Sequence, residues 1–189
     1  MRKLIISLHV SLDGFVAGPK GEMDWIKLDE EMFDMVARLT DEADTALYSR
    51  VTYEMMENYW PNAANLLNAS KHDIEQSNWY NRVEKVILSK TMKDIKKDKT
   101  AFISDDAAAF IKKLKEQPGK NILVFGSPGA VHVLMENDLI DEYWLFVNPV
   151  ILGEGIPLFT RLSKRSSLTL VTSKAFAYGV VALHYKVSR

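Results

Sequence analysis

The chain has 189 residues, of which 47% are hydrophobic and 26% are charged, and its formal net charge is −1. This length suits one well-buried α/β domain and is short for two. The balanced charge argues against nucleic acid or an anionic membrane as a general partner. Cysteine is absent, which excludes disulfides, thiol catalysis and thiolate zinc sites. No stretch approaches the roughly 18 apolar residues of a membrane span, and we expect a single cytoplasmic domain over residues 1–189.

The first half of the chain alternates apolar strands with amphipathic helices. In chain order the predicted elements are a strand at Leu4–Val10, a helix at Asp29–Asp41, a strand at Thr45–Tyr48, a helix through Tyr53 and Met56, and a strand at Val83–Leu88. Pro61 is expected to break the second helix, because proline lacks the backbone donor that a helix interior needs. Residues 62–82 are polar and rich in asparagine, and we expect them to be only partly helical.

The second half continues the alternation and then changes to consecutive strands. The predicted elements are a strand at Ala101–Ile103, a helix at Ala107–Glu116, a strand at Ile122–Phe125, a helix after Ser127, and strands at Tyr143–Val150, Leu168–Phe176 and Val180–Val187. The last two strands flank a short turn and form a predicted antiparallel hairpin. This order predicts one α/β domain, with a mostly parallel central sheet flanked by helices and a C-terminal antiparallel hairpin.

The junction after the strand Ile122–Phe125 indicates a phosphate site. The strand stops at Gly126, Ser127 suits a helix N-cap, and Pro128 suits the first helical turn. A helix that starts there presents free N–H groups and the positive end of its dipole, which together favour an anion. The alternative is an ordinary Ser-Pro helix start that needs no ligand. The four histidines have no metal-ligand spacing, so no metal site is predicted.

Five motifs occur in a characteristic order along the chain: SLDGFVAG, YSRVTYE, VILSKT, FGSPGAV and LIDEYWLFVNPVILGEGIPLF. In this combination the chain resembles the dihydrofolate reductase-like superfamily. The branch it resembles is the C-terminal reductase domain of the bacterial riboflavin-biosynthesis deaminase/reductase. The resemblance covers essentially the whole chain. It implies a reductase that binds NADPH along the carboxyl edge of the sheet.

The resemblance also implies which residues meet the cofactor. These are Phe15, Val16 and Ala17 at the nicotinamide; Ser49, Arg50 and Thr52 at phosphate oxygens; Ser89, Lys90 and Thr91 at the 2′-phosphate; and Gly126, Ser127, Gly129, Ala130 and Val131 at the pyrophosphate. Each motif also has a simpler interpretation, as a turn or a solvated helix start. Ser49 and Ser127 stand where the superfamily usually has glycine, and the sequence leaves open whether the Gly126–Ser127 bond is cis.

For the substrate, the resemblance implies a carboxylate near the start of the first helix, and the sequence does not choose between Asp29 and Glu30. Acids in a first helical turn are also common as solvated groups that the helix dipole favours. The implied substrate is a small pteridine- or pyrimidine-like heterocycle, such as 5-amino-6-(5-phosphoribosylamino)uracil. The alternative function is a non-catalytic nucleotide- or small-molecule-binding module. The resemblance and the apolar segment NPVILGEGIPLF further imply a homodimer.

Overall fold

The computed structural model describes residues 1–93, 95–160 and 165–188, within which the chain forms ten strands and five helices. The strands are β1 (Leu4–Ser11), β2 (Phe15–Ala17), β3 (Ala43–Ser49), β4 (Glu84–Leu88), β5 (Thr100–Ile103), β6 (Asn121–Phe125), β7 (Glu142–Asn148), β8 (Ile156–Pro157), β9 (Leu168–Ala175) and β10 (Val181–Val187). The helices are α1 (Glu30–Asp41), α2 (Arg50–Ala63), α3 (Lys71–Arg82), α4 (Ala107–Glu116) and α5 (Pro128–Glu136). No helix in these ranges is long and apolar enough to cross a membrane.

Eight of the strands form one sheet with the order β5-β4-β3-β6-β1-β7-β10-β9. The six strands from β5 to β7 run parallel, whereas β10 is antiparallel to both β7 and β9. Strands β2 and β8 form a separate two-stranded sheet beside the main one. The predicted fold class is confirmed: a mostly parallel α/β sheet that ends in an antiparallel hairpin.

The central strand β1 is apolar on both faces because helices cover both faces of the sheet. Leu4, Ile6 and Leu8 pack with residues of α4 and α5, such as Ile111. Ile5 points to the opposite face, where it packs in a cluster with the aromatic residues of α2 and α3. The two clusters together fill both faces of the sheet around β1.

Pro61 does not break α2, and this prediction was wrong. The helix continues to Ala63 with Pro61 inside its last turn. The neighbouring helix supplies contacts in this turn, since the side chain of Asn81 on α3 donates a hydrogen bond to the Pro61 carbonyl at 3.1 Å. Helix α3 accounts for most of the segment expected to be partly helical. It begins with a capping box, in which Ser70 and Asp73 each bond the other's backbone amide.

Candidate functional site

A cavity of about 920 Å³ opens at the carboxyl ends of β3, β4, β5 and β6 and extends over the middle of β1. Its volume is near the top of the range of about 300–1,000 Å³ that is typical of small-molecule and cofactor sites. In open α/β sheets, ligands bind outside the carboxyl ends of the strands. The cavity therefore lies where this architecture places a ligand.

Most of the residues predicted to hold a cofactor line this cavity. They are Val16, Ala17, Ser49, Arg50, Thr52, Ser89, Lys90, Thr91, Gly126, Ser127, Gly129 and Ala130. Phe15 and Val131 do not line it. Val131 is fully buried in the core, and its amide donates to the Ser127 carbonyl at 3.0 Å within α5.

The turn between β6 and α5 is built from two consecutive left-handed residues. Gly126 has φ 55° and Ser127 has φ 58°, and the described residues contain no cis peptide bond. Ser127 occupies the N-cap position of α5, but its side chain does not cap the helix. Instead its hydroxyl donates to the Phe125 carbonyl at 3.1 Å and accepts from the Ser49 amide at 3.1 Å. The turn is therefore joined to the end of β3.

Gly129, in the first turn of α5, leaves room beside the backbone. A Cβ atom built on Gly129 has no other atom within 4 Å, and Gly129 lines the cavity. The amides of Gly129 and Ala130 are among the first N–H groups of α5, which have no partner within the helix. A helix N-terminus with such an open approach fits an anion such as a pyrophosphate.

Two cations stand at the ends of β3 and β4. The guanidinium of Arg50 pairs with Glu54 one turn along α2, at 2.8 Å. Lys90 is exposed and makes no ion pair with a described carboxylate. It sits in a turn held by Ser89, whose hydroxyl accepts from the amides of Thr91 at 3.2 Å and Met92 at 3.0 Å. Lys90 is thus presented at the cavity with its charge available to an anionic ligand.

The motif SLDGFVAG connects the turn after β1 with the loop after β7 through hydrogen bonds. Asp13 accepts hydrogen bonds from the amides of Leu152 at 3.1 Å and Gly153 at 2.8 Å, and from the hydroxyl of Ser11 at 2.7 Å. The bond from Ser11 is the largest of the contacts that lower the pKa of Asp13, and the two amides add to it. The Ser11 hydroxyl also accepts from the Phe15 amide at 2.9 Å, so Phe15 belongs to this structural junction.

Neither acid predicted to meet the substrate reaches the cavity. Asp29 is the N-cap of α1, and its carboxylate accepts from the Met32 amide at 2.7 Å. Glu30 is exposed in the first turn. Helix α1 contributes Met32, Phe33 and other apolar side chains to the lining instead. The Asp29 carboxylate caps α1, and Glu30 lies in the first turn, where the helix dipole favours an acid.

His9 is a polar lining residue that the sequence reasoning missed. It stands in the middle of β1, stacks on Phe146 with ring centroids 5.0 Å apart, and approaches the side chain of Asn148 at 3.2 Å. Burial lowers the pKa of His9 to about 4. The available signal was a lone histidine in an otherwise apolar central strand, which is also common in ordinary cores.

A second histidine stands at the wall formed by α1, α2 and α3. His72 stacks on Phe33, with centroids 3.9 Å apart, and meets the edge of Trp60 at 5.5 Å. Burial lowers the pKa of His72 as well, against the opposing effect of Asp73. All three rings line the cavity. This wall is suited to a flat ring. Within the described residues, no group of His, Asp or Glu side chains could hold a metal ion.

Several known proteins resemble this chain over nearly its full length. It is 33% identical to the uncharacterized protein YyaP and 30% identical to the uncharacterized protein YwjB, both of Bacillus subtilis. Each match covers 97% of this chain, with 94% of YyaP and 97% of YwjB.

Solved structures share the fold at lower identity. A putative riboflavin biosynthesis protein from Shewanella superposes with a TM-score of 0.77 at 22% identity, over 99% of both chains. The deaminase/5-amino-6-(5-phosphoribosylamino)uracil reductase of Thermotoga maritima superposes with a TM-score of 0.66 at 13% identity. This chain spans 57% of that longer protein. The model of the RibD C-terminal domain family matches residues 2–182. The chain therefore belongs to the RibD C-terminal domain family and has its dihydrofolate reductase-like fold.

Proposed function

We propose that the protein is an NADPH-dependent reductase of a small heterocyclic substrate. The observation that carries this proposal is the cavity at the carboxyl edge of the sheet, which is lined by an open helix N-terminus, two cations and an aromatic wall. Membership of the RibD C-terminal domain family supports the same reaction class.

The described residues fit the cofactor. The amides of Gly129 and Ala130 would hold the pyrophosphate, because the space beside Gly129 is open. Arg50 and Lys90 would meet the 2′-phosphate that distinguishes NADPH from NADH. Arg50 would share its charge with Glu54, so Lys90 carries the larger part of this preference.

A nicotinamide cofactor held by these residues would supply a hydride to the carbon of a C=N or C=O bond, while the heteroatom would take up a proton and the cofactor would be left oxidised. The protein aligns donor and acceptor and excludes water. Met32, Phe33 and Trp60 suit this role, because their apolar side chains line the cavity. Val16 and Ala17 line the same space and would lie against the nicotinamide.

The substrate is a pyrimidine- or pteridine-like ring in this proposal. The Thermotoga protein bears the name of a reductase of 5-amino-6-(5-phosphoribosylamino)uracil, which makes aminouracil compounds the first class of acceptor to assay. A non-catalytic binding module is the alternative, and it predicts nucleotide binding without turnover of any acceptor.

The test is a titration with NADPH and separately with NADH, followed by thermal shift. We expect NADPH to bind more tightly, and Lys90→Ala to reduce the difference more than Arg50→Ala. Lys112→Ala is the matched control, since Lys112 is exposed on α4 and does not line the cavity. Equal binding of both nucleotides would remove the 2′-phosphate assignment. Binding of neither nucleotide would overturn the proposed function.

We also propose that the protein is a homodimer, with the loop after β7 at the interface. Ile151 is 70% exposed and Phe159 is 48% exposed, although Leu158 beside Phe159 is fully buried. Exposed apolar side chains in one segment favour association. Sedimentation of the wild type and of Ile151→Asp tests this. A wild-type monomer at micromolar concentration would contradict it.

A further inference from the structure

The orientation of the Asn148 side-chain amide is fixed by two partners that each have a single role. Its Oδ1 accepts from the backbone N–H of Lys27 at 2.9 Å, and its Nδ2 donates to the carbonyl of Phe146 at 3.0 Å. A backbone N–H only donates and a carbonyl only accepts, so exchanging the oxygen and nitrogen would break both bonds. Asn148 is fully buried at the end of β7, which makes satisfying both bonds important.

This orientation determines the protonation of His9. The second hydrogen of the Asn148 amide is directed at Nδ1 of His9, at 3.2 Å. Because an NH₂ group only donates, Nδ1 must accept, and the ring is neutral with its proton on Nε2. The lowered pKa of His9 agrees with a neutral ring. His9 lines the cavity, so the ring brings a hydrogen-bond donor there.

The described residues of β1, of β7 and of the segment at 21–28 that line the cavity include no lysine or arginine. Among the described lining residues the lysines and arginines are Arg50 and Lys90, which follow β3 and β4. Strand β3 lies two places from β1 in the sheet, a separation of roughly 10 Å. Near His9 the lining is aromatic and apolar, with Phe146 beneath the imidazole. A phosphate placed directly beside His9 would have no lysine or arginine of these described lining residues to pair with.

We propose that this end of the cavity recognises an uncharged, planar heterocycle through a hydrogen bond from Nε2 of His9 to a carbonyl oxygen or unprotonated ring nitrogen. Asn148 is the positioning residue that fixes the required tautomer. This proposal rests on the proposed function and narrows its substrate to a ring without a phosphate on the bound portion. It separates this chain from a reductase that depends on a phosphorylated acceptor.

Asn148 also joins the imidazole to the segment over the cavity. The amide of Lys27 is bonded to Asn148, and the neighbouring residues Ile26 and Leu28 line the cavity. A single buried side chain therefore positions both the hydrogen-bond donor and part of the apolar wall. Replacing Asn148 alters both together, whereas replacing His9 alters the donor alone.

The tautomer is tested without any ligand, by ¹⁵N NMR of protein labelled at histidine, with the His9 signals assigned from His9→Gln. We expect the wild type to show an unprotonated Nδ1 and a protonated Nε2. Asn148→Asp should move the proton to Nδ1 or protonate both nitrogens, since a carboxylate only accepts. Asn137→Asp is the control, because Asn137 is exposed on the far end of α5. A protonated Nδ1 in the wild type would overturn the proposal.

The substrate class is tested with uridine and uridine 5′-monophosphate, which share one ring and differ by a phosphate. Saturation-transfer NMR measures their binding to the protein saturated with NADPH. We expect uridine to bind more tightly than the monophosphate. His9→Leu should weaken the binding of uridine by about five- to tenfold. His9→Gln should bind uridine more tightly than His9→Leu, because glutamine retains a hydrogen-bond donor.

The outcomes separate this proposal from the reductase proposal. Tighter binding of the monophosphate, no binding of either compound, or an unchanged affinity in His9→Leu would overturn the recognition proposal while leaving NADPH binding intact. Failure to bind NADPH in the same sample would overturn the proposed function instead. The tautomer is measured without any ligand, so a protonated Nδ1 would overturn the recognition proposal whatever the outcome of the NADPH titration.

Discussion

The hydroxyl of Ser127 accepts a hydrogen bond from the amide of Ser49 at 3.1 Å. This bond joins the carboxyl ends of β6 and β3, which are neighbours in the sheet. Both residues line the cavity. The hydroxyl of Ser127 therefore has a structural role, which a glycine at this position could not fill.

We expect Ser127→Ala to destabilise the protein by about 1–3 kcal/mol, because the Ser49 amide loses its acceptor. Ser127→Gly loses the same bond but relieves a left-handed conformation that costs a non-glycine residue about 1–2 kcal/mol. Urea unfolding should therefore place the glycine variant between the wild type and the alanine variant. An alanine variant as stable as the wild type would show that this bond contributes nothing.

Gly129→Ala should separate stability from cofactor binding. The added Cβ meets no atom within 4 Å, and alanine is favoured over glycine in a helix by up to about 1 kcal/mol. We expect unfolding free energy to be unchanged or higher and NADPH affinity to fall by at least about tenfold, since the methyl group occupies the space beside the phosphate. The two quantities are measured by urea unfolding and by calorimetric titration. Undiminished NADPH affinity would contradict this placement of the pyrophosphate.

Gly155→Ala should disturb the small sheet beside the cavity. A Cβ on Gly155 would lie 2.3 Å from the Ala17 carbonyl oxygen, so β2 and β8 must separate. We expect a loss of about 1–3 kcal/mol and weaker NADPH binding, because Ala17 lines the cavity. Gly153→Ala is the matched control, since it also has a positive φ but open space around its Cβ. Equal stability of the two variants would exclude the steric explanation.

The burial of His9 should make the protein less stable in mild acid. Its pKa is about 4 in the folded state against 6.5 as a free group, so the unfolded chain takes up the proton first as the pH falls. The stability that depends on the neutral His9 is then fully present above pH 6.5 and is lost progressively as the pH falls toward 4.

Between about pH 7 and about pH 5, we expect wild-type stability to fall by about 2 kcal/mol more than that of His9→Gln. Urea unfolding of both proteins at the two pH values measures this difference. His72 is present in both proteins, and its effect cancels. Parallel losses in the two proteins would show that His9 is not responsible.

The sequence predicted the fold well because its signals are local. The parallel strands contain short apolar runs, as in Ile122–Phe125, and the ordered motifs indicated the fold class through the family resemblance. The position of the cavity followed from the rule that parallel strands present their carboxyl ends at one edge. Pro61 was misread because contacts between α2 and α3 are not visible in either helix alone.

The side chains of the site were harder to predict because several depend on contacts between distant residues. The Asp29 carboxylate accepts a hydrogen bond from the Met32 amide and does not line the cavity. His9 and Asn148 are 139 residues apart, and no pattern in either segment indicates that they meet. Whether a polar residue faces a cavity or completes a cap is decided by packing, which residue type and spacing describe poorly.

The position of β1 has a consequence for biosynthesis. Roughly 110 residues separate its end at Ser11 from the start of β6 at Asn121, and β7 begins later still, at Glu142. The strand at the centre of the sheet is therefore synthesised before the other strands of this sheet, and neither of its two partners exists until more than half of the chain has followed it. A nascent chain carries this apolar segment with both edges open, the condition that favours aggregation. Any truncation before β7 leaves the segment unpaired on that side, so the C-terminal third is required for the N-terminus to be buried.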